Sequence, residues 1–307
     1  MQYRILGSTG WKISAIGLGT WNIGGQWGPV SREDALATVG AAVDAGINLI
    51  DTADAYGEPP GLSEELLGEA LRGRRANLYI ATKVGNYARR SGHPLAFDTP
   101  DHVRLCCDAS LGRMKIDTID LYQCHMGDLE EPGVFLEAFD RLKAAGKIRA
   151  FGVSTNSLKV AQAFDSGGGL AAVQVNYSLL GRGAEKNLLP WCRERNIGVL
   201  VRGPLAKGIL AGKYGRDSRF GDSVRSGWND KNRKEYLAMV EKVETLRFLE
   251  AKGRTMAQAA LAWILSNPAI TCPIPGAKSP DQARANAAAA DVNLAPEEIA
   301  KANQITA

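Results

Sequence analysis

The chain has 307 residues, of which 45% are apolar and 23% are charged, so it can bury a sizeable core and is too apolar for a disordered protein. The 37 Lys and Arg residues exceed the 33 Asp and Glu residues by a formal charge of +4. These basic residues are scattered along the chain, which argues against nucleic acid as a partner.

The cysteine and histidine residues argue against further classes of protein. The five cysteines form no CxxC pair, as expected of free thiols in a cytoplasmic protein. The three histidines lack HExxH spacing, which argues against a zinc site and leaves no metal expected. No run of about 18 apolar residues is present, so no membrane span is predicted.

The predicted elements begin with a hairpin, in which residues 3–6 and 11–14 flank a turn at 7–10. We expect this hairpin to plug one end of the fold. Short runs rich in Val, Ile and Leu then alternate with segments of helical periodicity. The runs predict strands at residues 15–21, 48–54, 78–85, 118–126, 148–156, 170–178, 197–205 and 271–276.

The helical segments carry start and stop signals. Ser31, Ser63 and Ser157 stand where an N-cap oxygen is needed, and a glycine follows several of the helical patterns. Helices are predicted at residues 31–46, 63–73, 101–114, 131–146, 233–252 and 256–265, after residue 157, and after residue 296.

Eight strand and helix units in about 300 residues favour a parallel (β/α)8 barrel, a TIM barrel in the α/β class. The chain is predicted to form a single domain, residues 1–307, with the N-terminal β-hairpin and two extra helices, 233–252 and the last one. A doubly wound sheet is the alternative, but it needs a GxGxxG turn that residues 17–22 do not complete.

Ionisable residues end three successive predicted strands. Asp51 ends the second strand, Lys83 the third and His125 the fourth, and Tyr56 follows Asp51 by five residues. Because the carboxyl ends of barrel strands meet at one mouth, we expect these four side chains to converge there.

These residues resemble the aldo-keto reductase family over essentially the whole chain. The resemblance rests on Gly17-Leu18-Gly19-Thr20-Trp21, Asp51-Thr52-Ala53-Asp54-Ala55-Tyr56-Gly57, Ala81-Thr82-Lys83, Leu121-Tyr122-Gln123-Cys124-His125 and Gly152-Val153-Ser154. It implies a barrel of this kind and a catalytic tetrad of Asp51, Tyr56, Lys83 and His125.

The resemblance implies reduction of a carbonyl compound by a nicotinamide cofactor. Tyr56 would donate the proton, and Lys83 would lower the pKa of its phenol from about 10. Asp51 would keep Lys83 charged, and His125 would orient the carbonyl oxygen.

The resemblance also implies NADPH or NADP+ as cofactor, with Lys278 and Ser279 facing the 2′-phosphate. Gln282 stands where the family frequently has an arginine, which leaves NADH use open. Either Thr155 or Asn156 would hold the nicotinamide amide. The implied cofactor residues are Gly19, Thr20, Trp21, Ser154, Gln174, Arg202, Gly203, Pro204, Leu205, Gly208, Gly276, Lys278, Ser279, Gln282 and Asn286.

The expected substrate is a small aldehyde, ketone or sugar, bound between the long connections 22–30, 86–99 and 213–232, with Trp21, Tyr87 and Trp228 as walls. Three alternatives stay open: a sugar or alcohol dehydrogenase that runs in the oxidative direction, a cofactor-binding regulatory barrel, and a lyase or isomerase that uses Lys83 as a Schiff-base nucleophile. The sequence carries no signal for an oligomeric state.

Overall fold

The computed structural model describes residues 1–87, 92, 96–251 and 253–307. Its centre is a parallel sheet in which each of eight strands is hydrogen-bonded to the next one along the chain. These strands are β3 (Leu18–Gly19), β4 (Leu49–Asp51), β5 (Tyr79–Val84), β6 (Ile119–Cys124), β7 (Ile148–Ser154), β8 (Ala172–Asn176), β9 (Gly198–Arg202) and β10 (Cys272–Pro273).

The first and last strands of this sheet meet, which closes the barrel. The backbone N–H of Gly17 donates to the Pro273 carbonyl at 2.9 Å, and that of Gly19 donates to the Pro275 carbonyl at 3.0 Å. The predicted (β/α)8 barrel is therefore confirmed, and the doubly wound alternative is wrong.

Helices alternate with the strands as predicted. They are α1 (Arg32–Asp44), α2 (Leu62–Ala70), α3 (Pro100–Met114), α4 (Gly133–Ala144), α5 (Leu158–Phe164), α6 (Leu188–Glu194), α7 (Arg233–Thr245), α8 (Met256–Leu265), α9 (Pro280–Ala288) and α10 (Pro296–Thr306). The two extra helices are α7 and α10. The predicted helix over 233–252 is shorter, because a separate turn of 3-10 helix, Arg247–Leu249, follows α7.

Two of the three predicted N-caps are confirmed, since the side chains of Ser31 and Ser157 accept backbone N–H groups of the helices they precede. The prediction for Ser63 is wrong. Helix α2 begins one residue earlier, after Gly61 with a φ of +92°. The Ser63 hydroxyl lies within hydrogen-bond distance of the Thr20 carbonyl and hydroxyl instead, and so ties α2 to the end of β3.

The hairpin closes the end of the barrel where the strands begin. Strands β1 (Tyr3–Ile5) and β2 (Lys12–Ser14) pair antiparallel, as predicted. Leu6 and Ile13 are fully buried in a cluster with apolar side chains from inside the barrel, such as Leu49 and Leu200. This apolar plug leaves the opposite end, where the strands finish, for polar side chains.

Within the described part of the chain, no helix is both long enough and apolar enough to cross a bilayer. The same residues contain no grouping of three or more His, Cys, Asp or Glu side chains suited to bind a metal ion. The five cysteines are free thiols.

Candidate active site

Lys83 is the centre of the polar cluster at the barrel mouth. Its fully buried Nζ atom donates to Asp51 Oδ1 at 2.6 Å, to the Thr52 carbonyl at 2.7 Å and to Tyr56 Oη at 3.2 Å. An ammonium group has three protons, so each has an acceptor. The predicted convergence of Asp51, Tyr56 and Lys83 is thus present.

The Asp51 carboxylate is fixed from its other side by two glutamines. Asp51 Oδ2 accepts from Gln174 Nε2 at 2.7 Å and from Gln123 Nε2 at 3.2 Å. Gln123 did not figure among the predicted site residues, although it stands two residues before His125 and pairs in register with Lys83. Gln174 Oε1 is buried and has no hydrogen-bond partner among the described residues, so it can accept a bond from a bound molecule.

Aromatic contacts fix the Tyr56 ring. Trp21 stacks on it with ring centroids 5.5 Å apart, and the His125 ring lies edge-on at 5.9 Å. Trp21 Nε1 and the backbone N–H of Gly57 both donate to Gln26 Oε1, at 2.5 Å and 3.1 Å. The phenol therefore has one orientation, with its hydroxyl beside Lys83 and its ring beside that of His125.

The electrostatics of this cluster differ in one respect from the expectation. Burial raises the pKa of Tyr56, and the positive charges of Lys83 and Arg202 offset this only in part. Burial alone would lower the pKa of Lys83, but Asp51 and Tyr56 outweigh it, so the net shift is upward. The expected lowering of the Tyr56 pKa is absent because desolvation of a fully buried phenolate exceeds the attraction of one ammonium.

The strand ends β7 and β9 form the neighbouring side of the mouth. The Thr155 hydroxyl donates to the Gly127 carbonyl at 2.6 Å, whereas Asn156 Oδ1 accepts from Arg202 Nη2 at 3.2 Å. No carboxylate of the described residues lies within salt-bridge distance of Arg202. A cavity of about 520 Å³ is lined by Gly127, Asp128, Thr155, Asn156, Ser157 and Arg202, and Ser154, almost fully buried, precedes it.

The segment after β9 has an unusual backbone. Gly203 has a φ of +63°, and Ala206, Lys207 and Gly208 follow with φ values of +46°, +56° and +90°. Left-handed conformations are strained for residues other than glycine and cluster at ligand sites. Pro204 and Leu205 lie inside this segment as predicted, but Ala206 and Lys207 did not figure among the predicted residues, since neither residue type signals a positive φ.

The segment that follows β10 also brings predicted residues together. Ser279 caps α9 by accepting the Gln282 backbone N–H at 3.3 Å, and Gln282 Oε1 accepts the Lys278 backbone N–H at 3.0 Å. The Lys278 ammonium reaches the neighbouring loop after β3 and donates to the Trp27 carbonyl at 2.8 Å. A ligand phosphate at Lys278 would compete with that carbonyl.

Two glycines allow close approach of backbone at this edge. A Cβ atom on Gly276 would lie 1.7 Å from Asn22 Oδ1, and one on Gly19 would lie 2.7 Å from the Ile274 carbonyl oxygen. Asn286 Nδ2 donates to the Gly276 carbonyl at 3.2 Å. Gly19 is therefore required by the backbone packing around the mouth, whereas a side chain at Gly276 would force the Asn22 side chain to move.

The predicted substrate walls differ in exposure. Tyr87 is exposed, with the Arg113 guanidinium 5.3 Å from its ring centroid. Trp228 is buried against Phe220 and Tyr236, so its role as a wall stays a prediction. Residues 88–91 and 93–95 of the expected substrate loop lie outside the described residues.

Comparisons with known proteins agree with this site. The family model described as "Aldo/keto reductase family" matches residues 15–307. The aldo-keto reductase YhdN of Bacillus subtilis (strain 168) is 36% identical over 298 residues, covering 93% of this chain and 87% of that protein.

Two solved structures extend the likeness to three dimensions. The glycerol dehydrogenase AKR11B4 from Gluconobacter oxydans is 33% identical with a TM-score of 0.81, over 99% of this chain and 94% of that one. An aldo-keto reductase from Klebsiella pneumoniae in complex with NADPH is 31% identical with a TM-score of 0.76, over 99% and 95%. The chain therefore belongs to the aldo/keto reductase family and is an oxidoreductase.

Proposed function

We propose that the protein interconverts a small carbonyl compound and the corresponding alcohol with NADP(H), and that Tyr56 transfers the proton. The observation that carries the proposal is the buried Lys83 ammonium, which contacts the Tyr56 hydroxyl and the Asp51 carboxylate together. Family membership and the NADPH complex of the Klebsiella pneumoniae relative support the reaction class and the cofactor.

The residues present fit a nicotinamide cofactor. Gln174 Oε1, buried and with no hydrogen-bond partner in the described part of the chain, is an acceptor at the base of the mouth. Asn156 is the better candidate for the nicotinamide amide, because the Thr155 hydroxyl already donates to the Gly127 carbonyl of the neighbouring loop after β6. The strained segment after β9 suits the pyrophosphate, and Lys278 suits a 2′-phosphate. The bound cofactor would supply or accept the hydride at the carbonyl carbon.

In the reductive direction, Tyr56 Oη gives its proton to the carbonyl oxygen as charge develops there. Lys83 Nζ, 3.2 Å away, then stabilises the phenolate. That attraction offsets part of the desolvation that raises the pKa of the Tyr56 phenol. Asp51 keeps Lys83 charged, and His125, edge-on to the phenol, orients the carbonyl oxygen.

The same groups serve the reverse reaction, in which Tyr56 accepts the proton of an alcohol. One observation favours polyols or sugars as such substrates: a relative with 33% identity is a glycerol dehydrogenase. We therefore propose aldehydes, ketones and sugars as the substrate class in one direction, and their alcohols in the other.

The test is oxidation of NADPH and of NADH against a panel of aldehydes, ketones and sugars, and reduction of NADP+ against polyols, with Tyr56→Phe as the matched control. We expect Tyr56→Phe to lower turnover by about a hundredfold or more, the usual effect of losing a general acid. Its affinity for NADPH, measured by fluorescence, should change less than about twofold. Undiminished turnover in Tyr56→Phe would remove Tyr56 from the mechanism.

Two further outcomes separate the alternatives. Tight NADPH binding with no turnover in either direction would favour a regulatory barrel. Trapping of a carbonyl substrate on Lys83 by borohydride without nicotinamide would favour Schiff-base chemistry.

A further inference from the structure

A second buried group of charges lies on the opposite face of β5 from the tetrad. Successive residues of a strand point to opposite faces. Lys83 points to Asp51 and Tyr56, whereas the Thr82 hydroxyl donates to Glu64 Oε1 at 2.5 Å. Glu64 belongs to α2 and pairs with a cation of α3. We call Asp54, Glu64 and Arg113 the outer cluster.

Within the outer cluster, Glu64 is fully paired. Its Oε2 accepts from Arg113 Nε at 2.7 Å, and its side chain is completely buried. Arg113 also donates to the Ser110 hydroxyl at 3.1 Å. The guanidinium is thereby bonded to one carboxylate, Glu64, and to no oxygen of Asp54.

Asp54 joins three parts of the site. It stands two residues before Tyr56, and its backbone N–H donates to the Lys83 carbonyl at 3.3 Å. Its Oδ2 accepts the backbone N–H of Gly85 at 3.3 Å, and the backbone N–H of Tyr87 lies near enough to lower the pKa of its carboxyl group. Asp54 thus connects the Tyr56 loop, the strand of Lys83 and the beginning of the 86–99 connection.

The charges of the outer cluster do not balance, since Arg113 pairs with Glu64 alone and no cation among the described residues forms an ion pair with Asp54. Asp54 is 1% exposed, and its Oδ1 has no hydrogen-bond partner among the described residues. Burial and the Glu64 charge raise the pKa of Asp54 to about 7, against weaker opposing effects of Gly85 and Arg113. The titratable and charged groups that face Asp54 are Glu64 from α2, Cys106 and Arg113 from α3, and Tyr122 and Cys124 from β6.

We propose that Asp54 is a positioning residue that, as a neutral acid, holds the Tyr56 loop and the start of the 86–99 connection against the strand of Lys83. The proposal rests on the proposed function, because it acts through Tyr56 and the substrate loop. Ionisation of Asp54 places a second negative charge beside Glu64. The two buried like charges then favour conformations in which Asp54 is solvated and releases the backbone of Gly85 and Tyr87, and the carbonyl substrate binds and reacts less well.

The first test compares wild type, Asp54→Asn and Asp54→Ala in the carbonyl-reduction assay from pH 6 to pH 8. Asparagine still accepts the N–H bonds but cannot ionise, so at pH 6 its kcat/KM should lie within about twofold of wild type. Asp54→Ala should lose about tenfold or more in kcat/KM. Its KM for NADPH should change less than about threefold, because the contacts that it removes are with the backbone of Gly85 and Tyr87, which are not among the expected cofactor residues. Between pH 6 and pH 8, the kcat/KM of wild type divided by that of Asp54→Asn should fall about threefold or more.

The second test needs no activity and follows amide hydrogen exchange at Gly85 and Tyr87. A solvated aspartate has a pKa near 3.9. When the backbone at Gly85 and Tyr87 opens and exposes Asp54 to water, Asp54 should therefore release a proton that it keeps when buried. After correction for intrinsic exchange rates, the equilibrium constant for opening at Gly85 and Tyr87 in the wild type should therefore rise by up to about tenfold per pH unit between pH 5 and pH 7. Asp54→Asn should show no such slope, and Asp44→Asn, a surface change of equal charge, should behave as wild type.

The two tests separate the two proposals. Equal pH profiles for wild type and Asp54→Asn, in activity and in exchange, would overturn the role of Asp54. If the wild type turns over no substrate while the exchange slopes differ as expected, the protonated Asp54 and its hold on the loop are supported, and the proposed reductase function fails.

Discussion

The two buried groups on either face of β5 contain similar side chains and reach opposite outcomes. In the tetrad, one carboxylate faces one ammonium, so the Asp51 and Lys83 charges compensate each other and the pKa of Lys83 rises. In the outer cluster, the single guanidinium pairs with Glu64, and it is the pKa of the unpaired Asp54 that rises.

The difference shows that burial alone does not decide which group carries a proton. Both clusters are almost fully buried, so desolvation acts on both. What differs is the number of opposite charges within bonding distance. A compensated pair stays ionised and is available for electrostatic catalysis, whereas an uncompensated carboxyl group takes up a proton and becomes a hydrogen-bonding group.

The largest expected effect comes from breaking the compensated pair. Lys83→Met leaves Asp51 buried without a counter-charge, so we expect a loss of about 3–5 kcal/mol in the free energy of unfolding, measured by urea denaturation. Turnover should fall at least as far as in Tyr56→Phe, because the phenolate loses its stabilising charge.

A matched double variant controls for the loss of packing at Lys83. Lys83→Met with Asp51→Asn removes both charges, so it should recover a large part of the stability and none of the activity. If the single and the double variant unfold at the same urea concentration, the Asp51 charge is not the cause of the loss.

The next effect comes from removing the uncompensated acid. With its pKa raised to about 7, Asp54 in the folded protein should keep a proton that the unfolded chain releases, so this group should make wild-type stability fall as the pH rises from about 4 to about 7. The stability of Asp54→Asn should not show this fall with pH, because asparagine does not ionise. At pH 7 it should be more stable than wild type by about 1–4 kcal/mol, with a much smaller difference near pH 4.

Urea unfolding at pH 4.5, 5.5 and 7 measures this difference. The control is Asp44→Asn, since Asp44 is an exposed partner of Arg74 and should shift stability by less than about 0.5 kcal/mol at every pH. A constant difference between Asp54→Asn and wild type across the pH range would mean that Asp54 carries no proton in the folded state.

The sequence predicts the barrel and its tetrad because both follow from local pattern. Apolar runs alternate with helical periods, and Asp51, Lys83 and His125 stand where apolar runs end, so chain order alone brings them to one mouth. The strands are shorter than predicted at both ends of most runs. Apolar periodicity continues into the loops, where backbone pairing has already stopped.

Other parts of the site depend on partners that are distant in the chain. The bonds of Gln123 and Gln174 to Asp51 join residues 72 and 123 positions apart, and no local pattern indicates such pairing. The left-handed backbone of Ala206 and Lys207 is imposed by the fold against the preference of both residues. The proton on Asp54 likewise follows from where α2 and α3 pack.

The smallest expected effect concerns a cation outside both clusters. Lys278 is only partly buried and donates to the Trp27 carbonyl, a neutral acceptor. Replacing that carbonyl by a 2′-phosphate gains a charge-assisted bond, so Lys278→Ala should weaken NADPH binding about tenfold and change NADH binding less than about twofold. Arg284→Ala is the control, because Arg284 lies on α9 and pairs with Asp281.

Because solvent reaches Lys278, salt should screen its contribution, and the tenfold difference should shrink between 0.05 and about 0.5 M salt. A salt-independent loss, or an equal loss for both cofactors, would place the ammonium away from the phosphate.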